Sequence, residues 1–476
     1  MSDPLIIAPI LLPMAAACLG LLWPRRVRPL SLVAGFAIVL LTAFRCLTFG
    51  ANSATTYALG NWPAPYGIAL TADAVSAWML FATAWTLFGV QLFTKSARRD
   101  TGAFFHPLFF VLWMGLNGAF LTGDVFNLFV FFEVLLIGSY GIALQAADAG
   151  RARVTLRYVG INLAGSAVFL IAAGMLYGVT GSLNFADLGA RIAVLTGTDR
   201  ALALVGIALL AVVFLLKGAA MPLSAWLPAT YARIVPASAA AFTLLTKLGA
   251  YGLLRINGYW SDALAGWPLL EVVHWLGIAT MLLAGIGALG SLSLRAVASW
   301  SVLASSGFLM LVFATRDPVL VAAGLFYLPV SAASASALYL AGDLAARDQL
   351  GGWARLWLLA AAAGVAGLPP LAGFLAKLQA VSGLLAGGAG WAVAAIVASG
   401  LCVLVGLARA GLRCGDAGAR ATPGVHLALC WLCGAGIAMS VFAAPLQVGL
   451  KKAAEALVQD SRTMVAAGGA GQGAQP

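Results

Sequence analysis

The stretch LFVFFEVLLIGSYGIAL, Leu128 to Leu144, holds one charged residue, Glu133, in seventeen. A helix from about Val125 to Gln145 is roughly 30 Å long at about 1.5 Å per residue, close to the thickness of a bilayer's hydrocarbon core. Glu133 then sits a little short of the midpoint. A carboxylate at that depth has almost nothing to pair with locally and needs an ammonium group or water.

The rest of the chain is of the same kind. Of its 476 residues 62% are hydrophobic and 9% charged, and the mean hydropathy is +0.99. A soluble domain carries about a quarter charged residues, so lipid is the main solvent here. Runs of about 20 apolar residues can be followed from end to end. Fourteen are expected, centred near Met14, Phe36, Phe81, Leu112, Leu135, Phe169, Leu209, Leu245, Leu282, Leu309, Tyr327, Ala363, Ala398 and Ile437. The expected class is an all-α polytopic membrane protein. The first run lacks the basic residues that open a signal peptide, so it is expected to stay. The net charge of +11 comes from arginines scattered between apolar runs; no nucleic-acid partner is expected.

Two motifs are decoys. Cys430 and Cys433 spell C-x-x-C inside the apolar run HLALCWLCGAGIAMSVF, with no second pair for a metal. GIGALG, Gly285 to Gly290, matches a dinucleotide fingerprint but lies inside an apolar helix, where small residues let helices approach closely. No cofactor and no metal site are expected.

Basic residues set the orientation, because cytoplasmic loops carry the excess of lysine and arginine. Loops after odd-numbered helices hold sixteen, among them Arg25, Lys95, Arg151, Arg295, Arg347 and Arg413; the opposite loops hold five, Arg45, Arg191, Arg200, Arg255 and Arg316. Both termini are therefore expected outside the cytoplasm, with Lys451, Lys452 and Arg462 weighing weakly the other way.

Three of the six lysines, Lys217, Lys247 and Lys377, fall within apolar segments. A lysine at a helix centre costs roughly 2.5–3.5 kcal/mol on insertion scales, and such a cost points to a use. Two of these segments are also broken: FLLKGAAMPLSAWLP has Pro222 after Lys217, and AGLPPLAGFLAKLQ has Pro369 and Pro370 before Lys377. The reversed order of lysine and break is what an inverted-topology repeat would produce. The expected organisation is three helices over residues 1–100, a first repeat of helices four to eight over 101–257, and an inverted repeat of helices nine to thirteen over 258–410. A fourteenth helix follows over 411–450, then a tail over 451–476 with a disordered end.

Glu133 thus gains candidate partners. A buried Glu–Lys pair that only locks two helices stabilises less than apolar packing. Burial disfavours both charges while mutual attraction favours them, so a pair that can separate works as a proton relay. His106, His274 and His426 lie near helix ends and suit interfacial roles; Asp124 precedes the fifth helix in LTGDVFN and suits an N-cap, with a supporting role in the relay as the other reading.

The run FFHPLFFVLWMGLNGAFLTGDVFNLFVFFEVLLIGSYGIAL, Phe104 to Leu144, with GNWPAPYGIALTAD, Gly60 to Asp73, resembles the D-type subunit of the Mrp-type multisubunit cation/proton antiporters and, more distantly, the antiporter-like subunits of respiratory complex I. The resemblance covers about the first 440 residues. It implies fourteen helices, two inverted five-helix repeats, and a hydrated polar axis along the bilayer midplane. On matching positions Glu133 is the fifth-helix glutamate, Lys217 the lysine of the broken seventh helix, Lys247 the eighth-helix lysine and Lys377 the terminal lysine of the broken twelfth. The family's eleventh helix carries a histidine where this chain has Val330, so Ser331, Ser334 or Ser336, with water, are expected to link Lys247 to Lys377. The implied protein is a subunit of a hetero-oligomeric sodium or potassium/proton antiporter in a bacterial cytoplasmic membrane. The rival readings are a proton-pumping membrane subunit of a complex I or membrane-hydrogenase type redox complex, and a structural subunit whose buried charges fix helix register.

Overall fold

In lipid a backbone must satisfy its own hydrogen bonds, so apolar runs fold as helices. The computed structural model describes residues 4–23, 30–48, 54–62, 65–97, 102, 104–145, 148–414 and 421–459. Among them are eighteen α-helices. The N-terminal part contributes α1 (Ala8–Leu22), α2 (Ser31–Thr48) and α3 (Ala74–Ser96). Then come α4 (Phe105–Leu121), α5 (Val125–Leu144), α6 (Ala149–Thr180), a short α7 (Phe185–Val194), α8 (Gly197–Lys217), a six-residue α9 (Trp226–Tyr231) and α10 (Pro236–Trp260). The second half holds α11 (Leu269–Gly290), α12 (Leu294–Phe313), α13 (Pro318–Ala345), α14 (Trp353–Ala366), α15 (Ala372–Ala386) and α16 (Gly390–Leu412), followed by α17 (Pro423–Val441) and α18 (Ala443–Gln459). Eleven helices are long and apolar enough to cross a membrane, and α2, α4, α14 and α15 are shorter apolar helices.

Burial sorts these helices. The apolar window of α10 is entirely buried and that of α13 is 94% buried, against 39% for α6 and α16. The first pair forms the centre and the second lies at the periphery, with side chains such as Leu170, Ile171, Val397 and Leu401 exposed. α3 packs on α17 through Trp85, whose ring stacks on Trp431 at 4.0 Å. Each of these two indoles donates to the other residue's carbonyl at 3.0 Å.

Polar residues mark the helix ends. Asp124 accepts from the Asn127 amide at 2.8 Å, the N-cap expected for it. A small hairpin of β1 (Thr55–Ala58) and β2 (Ala69–Ala72) covers the end of the bundle where Thr122, Asp124 and Asn184 also lie. Arg191, Arg200 and Arg316 bond to Thr180, Ala263 and Asp262 respectively.

Two prolines inside helices show how the packing compensates lost bonds. Pro13 in α1 and Pro329 in α13 have no N–H for the carbonyl four residues earlier. The Pro9 carbonyl instead accepts from Asn117 Nδ2 at 2.7 Å, and the Leu325 carbonyl from Trp78 Nε1 at 2.9 Å. Trp78→Phe keeps the ring's apolar bulk but leaves the Leu325 carbonyl unpaired in a dry core. It is expected to cost about 1–3 kcal/mol, read as a lower thermal midpoint of the detergent-solubilised protein; an unchanged midpoint would contradict this account.

Two expectations are corrected. Arg255 is not a loop residue: it lies within α10, 5% exposed. Arg45 likewise lies in the last turn of α2 and is buried. The charged stretch after Leu450 is helical, because α18 runs to Gln459 and packs on α13, α10 and α3, with Leu457 against Gly258. Residues 460–476, where the disordered end was expected, lie outside the described residues.

Candidate functional site

Both expected helix breaks are present, and each sits beside a lysine, Lys217 buried and Lys377 half-buried. Lys217 is the last residue of α8, and the chain then turns through Pro222 before α9. The exposed backbone there is held by protein: Ser306 donates to the Gly218 carbonyl, the Met221 amide donates to Thr280 Oγ1 at 2.8 Å, and Trp226 Nε1 donates to the Leu216 carbonyl at 3.2 Å. This is the condition under which irregular backbone survives at membrane depth. In the other half α14 ends at Ala366, Pro369 and Pro370 fill the gap, and α15 carries Lys377. Lys377 Nζ donates to the terminal carbonyls of α14, to Ala366 at 2.9 Å and Val365 at 3.3 Å. A cation at a helix C-terminus meets its partial negative charge.

Glu133 and Lys217 form no direct ion pair among the described residues. They are joined through α6, where Ser166 donates to Glu133 Oε1 and Lys217 Nζ donates to Asn162 Oδ1 at 3.2 Å. Ser166 also donates to the Asn162 carbonyl one turn away, at 3.0 Å. The Phe132 ring lies 5.6 Å from Lys217 Nζ. The bridge therefore lies across two neutral polar side chains, which the sequence reading had not picked. Asn162 and Ser166 stand four apart in an otherwise apolar run, the spacing that places both on one helix face, and that was the available signal.

Lys247, fully buried in α10, donates to Ser305 of α12. Gly249 lets α10 come close to the broken end of α8: a Cβ there would collide with the Gly218 amide nitrogen. Ser301 stands one turn along α12 from Ser305, and the two hydroxyls donate to their own helix, at Ala298 and Val302. Ser301 shares with Lys377, Tyr327 and Ser399 a cavity of about 20 Å³, room for about one water molecule. The Tyr327 ring lies 5.7 Å from Lys377 Nζ.

The serines of α13 make other contacts. Ser331 donates to its own helix at Leu328, and Ser334 packs against Gly364. Ser336 bonds Thr243 Oγ1 at 3.0 Å and the Ala240 carbonyl at 2.8 Å, tying α13 to α10 one turn from Lys247. Val330 is buried facing Gly436 of α17 rather than the space between the two lysines. Beside Lys247, the ASWSVLASSG run of α12 places Ser301 and Ser305 on one face.

A further charged pair escaped the sequence reading. Arg255 Nη1 and Nη2 both donate to Asp73, the second at 2.9 Å. Arg255 Nε donates to Tyr251 Oη at 2.8 Å, and Tyr251 donates on to the Phe120 carbonyl. Asp73 also caps α3 by accepting from the Ser76 amide. Burial raises the Asp73 pKa, but the Arg255 charge and the hydrogen bonds from Arg255 and Ser76 outweigh it and hold the carboxyl below the ordinary 3.8.

Residues 122–402 match the family described as NADH:quinone oxidoreductase/Mrp antiporter, transmembrane. The sequence is 36% identical to the D-type subunit of a probable K(+)/H(+) antiporter from Rhizobium meliloti, over 86% of each chain. It is 32% identical to the D-type subunit of the Na(+)/H(+) antiporter of Alkalihalophilus pseudofirmus, over 79% of this chain and 80% of the relative. Among solved structures, a chain of the Mrp complex from Dietzia superposes with a TM-score of 0.87 at 25% identity, covering 98% of this chain and 99% of that one.

Proposed function

Because the chain belongs to the NADH:quinone oxidoreductase/Mrp antiporter transmembrane family, we propose that it is the D-type membrane subunit of a monovalent cation/proton antiporter, moving protons along the axis of Glu133, Lys217, Lys247 and Lys377. The observation that carries this reading is the order of polar contacts at the two breaks. Glu133, Ser166, Asn162 and Lys217 form one hydrogen-bonded segment; on the other side Lys247 donates to Ser305, and Ser301, one turn away, lines with Lys377 a cavity that holds about one water. Each side ends on a lysine beside a broken helix, and the close approach of Gly249 to Gly218 joins them. Protons pass along such a line only if the charged ends change their pairing during turnover.

The same reading takes the fourteen apolar segments as crossings, with α8 plus α9 and α14 plus α15 as broken helices of two inverted five-helix repeats, over 101–257 and 258–410. The outer limits fall in the last turns of α10 and α16, which run on to Trp260 and Leu412. The partners are further subunits of a hetero-oligomeric complex. A sodium or potassium site needs several oxygen ligands together, and among the described residues no cluster of three or more acidic, histidine or cysteine side chains is placed to hold a metal ion. The names of the relatives divide between potassium and sodium.

The test is antiport in everted membrane vesicles from cells lacking their own cation/proton antiporters, with sodium and then potassium added to collapse a proton gradient. Co-expression with the neighbouring subunits should give cation-dependent proton flux, and the single chain should give none. No flux from the full set would overturn the assignment; full flux from the chain alone would overturn the proposed partnership.

Orientation is part of the same proposal. Thr198, exposed at the start of α8, lies outside, and Ala152, in the first turn of α6, lies in the cytoplasm. Cysteines placed there should react with an impermeant thiol reagent in whole cells at Thr198 only, and at Ala152 only in everted vesicles. Labelling of both from one side would contradict the proposed crossing of α6.

A further inference from the structure

At the arginine-rich end of the bundle, five elements open on one cleft of about 680 Å³. Arg151 from α6, Arg295 from α12, Arg347 at the end of α13 and Arg413 at the end of α16 line it, with Asp343 and Asp348 as the carboxylates. Arg347 pairs with Asp343 at 3.4 Å, and Arg151 with Asp148 at 3.5 Å. The lining remains net positive, four guanidinium groups against two carboxylates.

Cytoplasmic loops are rich in arginine in most membrane proteins. That rule sets the sign of this end but does not bring arginines from four separate helices to one concavity. The starts of α10 and α12, through Val235, Pro236, Ser293 and Leu294, and the ends of α13 and α16, through Ala346 and Ala410, line the same cleft, so helix-end charges of both signs meet there and the guanidinium groups set its sign. Like charges held together interact favourably with one anionic group placed among them, and a phosphate accepts hydrogen bonds from several guanidinium groups at once.

We propose that this cleft binds the phosphate headgroup of an anionic phospholipid. The flanks favour a lipid over free phosphate: Leu292 on the cleft wall and Leu412 beside Arg413 are both exposed apolar side chains. They continue onto the lipid-facing sides of α11 and α16, where Leu282, Ile286, Leu401 and Val405 are exposed. The charged part of the ligand meets the cleft and its acyl chains meet these helices. Basic pockets between transmembrane helices at the cytoplasmic surface recognise acidic headgroups on this principle.

The full chain, purified in mild detergent, should be offered phosphatidylglycerol and phosphatidylcholine of the same acyl chains in equal amounts, with retention read by native mass spectrometry. Phosphatidylglycerol should be retained about tenfold over phosphatidylcholine, and Arg295→Gln and Arg413→Gln should each lower that preference about fivefold. Arg316→Gln, at the opposite end, should leave it unchanged. Arg413 is exposed, so its variant keeps the test decisive should Arg295→Gln fail to fold. Equal retention of the two lipids, or an unchanged preference in the Arg413 variant, would overturn the proposal. Displacement of phosphatidylglycerol by inorganic phosphate at equal concentration would assign the cleft to free phosphate and overturn the lipid reading.

Discussion

Glu133→Gln in the co-expressed complex is expected to lower cation-dependent proton flux at least about tenfold, the lower end of what loss of a positioned proton-transfer group removes, while membrane-inserted protein stays near wild type. The substitution keeps the side chain's shape and can still accept from Ser166, but it removes the negative charge that Lys217 meets through Asn162 and Ser166. Glu133→Asp keeps the charge and shortens the reach by one methylene, so partial flux with a displaced pH optimum is expected. The discriminating variant is Glu133→Gln combined with Lys217→Met. If the two charges only lock helices together, a neutral pair packs at least as well and flux returns. If they relay protons, flux stays low. Wild-type flux in the double variant, normalised to inserted protein, would rule out the relay. Ser166→Ala adds a second check: it leaves both charges in place and breaks the bridge between them, so flux should fall without loss of the folded protein.

The second large effect concerns folding. Arg255→Gln leaves Asp73, whose side chain is 16% exposed, without its counter-charge and is expected to cost about 3 kcal/mol, the lower end of the range for breaking one side of a buried pair. The pair joins the start of α3 to α10, and Tyr251 extends it to the end of α4, so the loss should appear as poor recovery of monodisperse protein. Its pH dependence follows from the lowered Asp73 pKa. A carboxyl with a depressed folded value contributes stability in full above the unfolded value, near 3.8, and loses it as pH falls through the folded value. The thermal midpoint should therefore be insensitive to this pair from neutral pH down to about 4, then drop. Asp73→Asn should be less stable at neutral pH and lose that acid step; an acid step of undiminished size in Asp73→Asn would show that other groups produce it.

The reading of the axis rests on unequal kinds of signal. Glu133, Lys217, Lys247 and Lys377 were legible because a charge inside an apolar run is costly wherever it points, and the cost is visible residue by residue. The breaks were legible because proline lacks the amide that a helix needs. Asn162, Ser166, Ser301 and Ser305 were not, because serine and asparagine are common inside membrane helices, where they bond to their own backbone. Ser301 and Ser331 each donate to a carbonyl of their own helix.

Sequence alone determined that the protein lives in lipid, which segments are helical, where two of them break, and which charges lie deep. These follow from local chemistry: apolar runs, proline, and the cost of burying an ion. Tertiary structure decided which charges meet and through what. It placed α6 between Glu133 and Lys217, gave the link from Lys247 to α12 rather than α13, turned Val330 towards α17, and set Arg255 in the core against Asp73. Those choices depend on the rotation of each helix about its own axis. In an apolar environment that rotation is set by the packing of small residues such as Gly249 against Gly218 and Gly364 against Ser334, a property of pairs of distant segments that no single run of sequence carries.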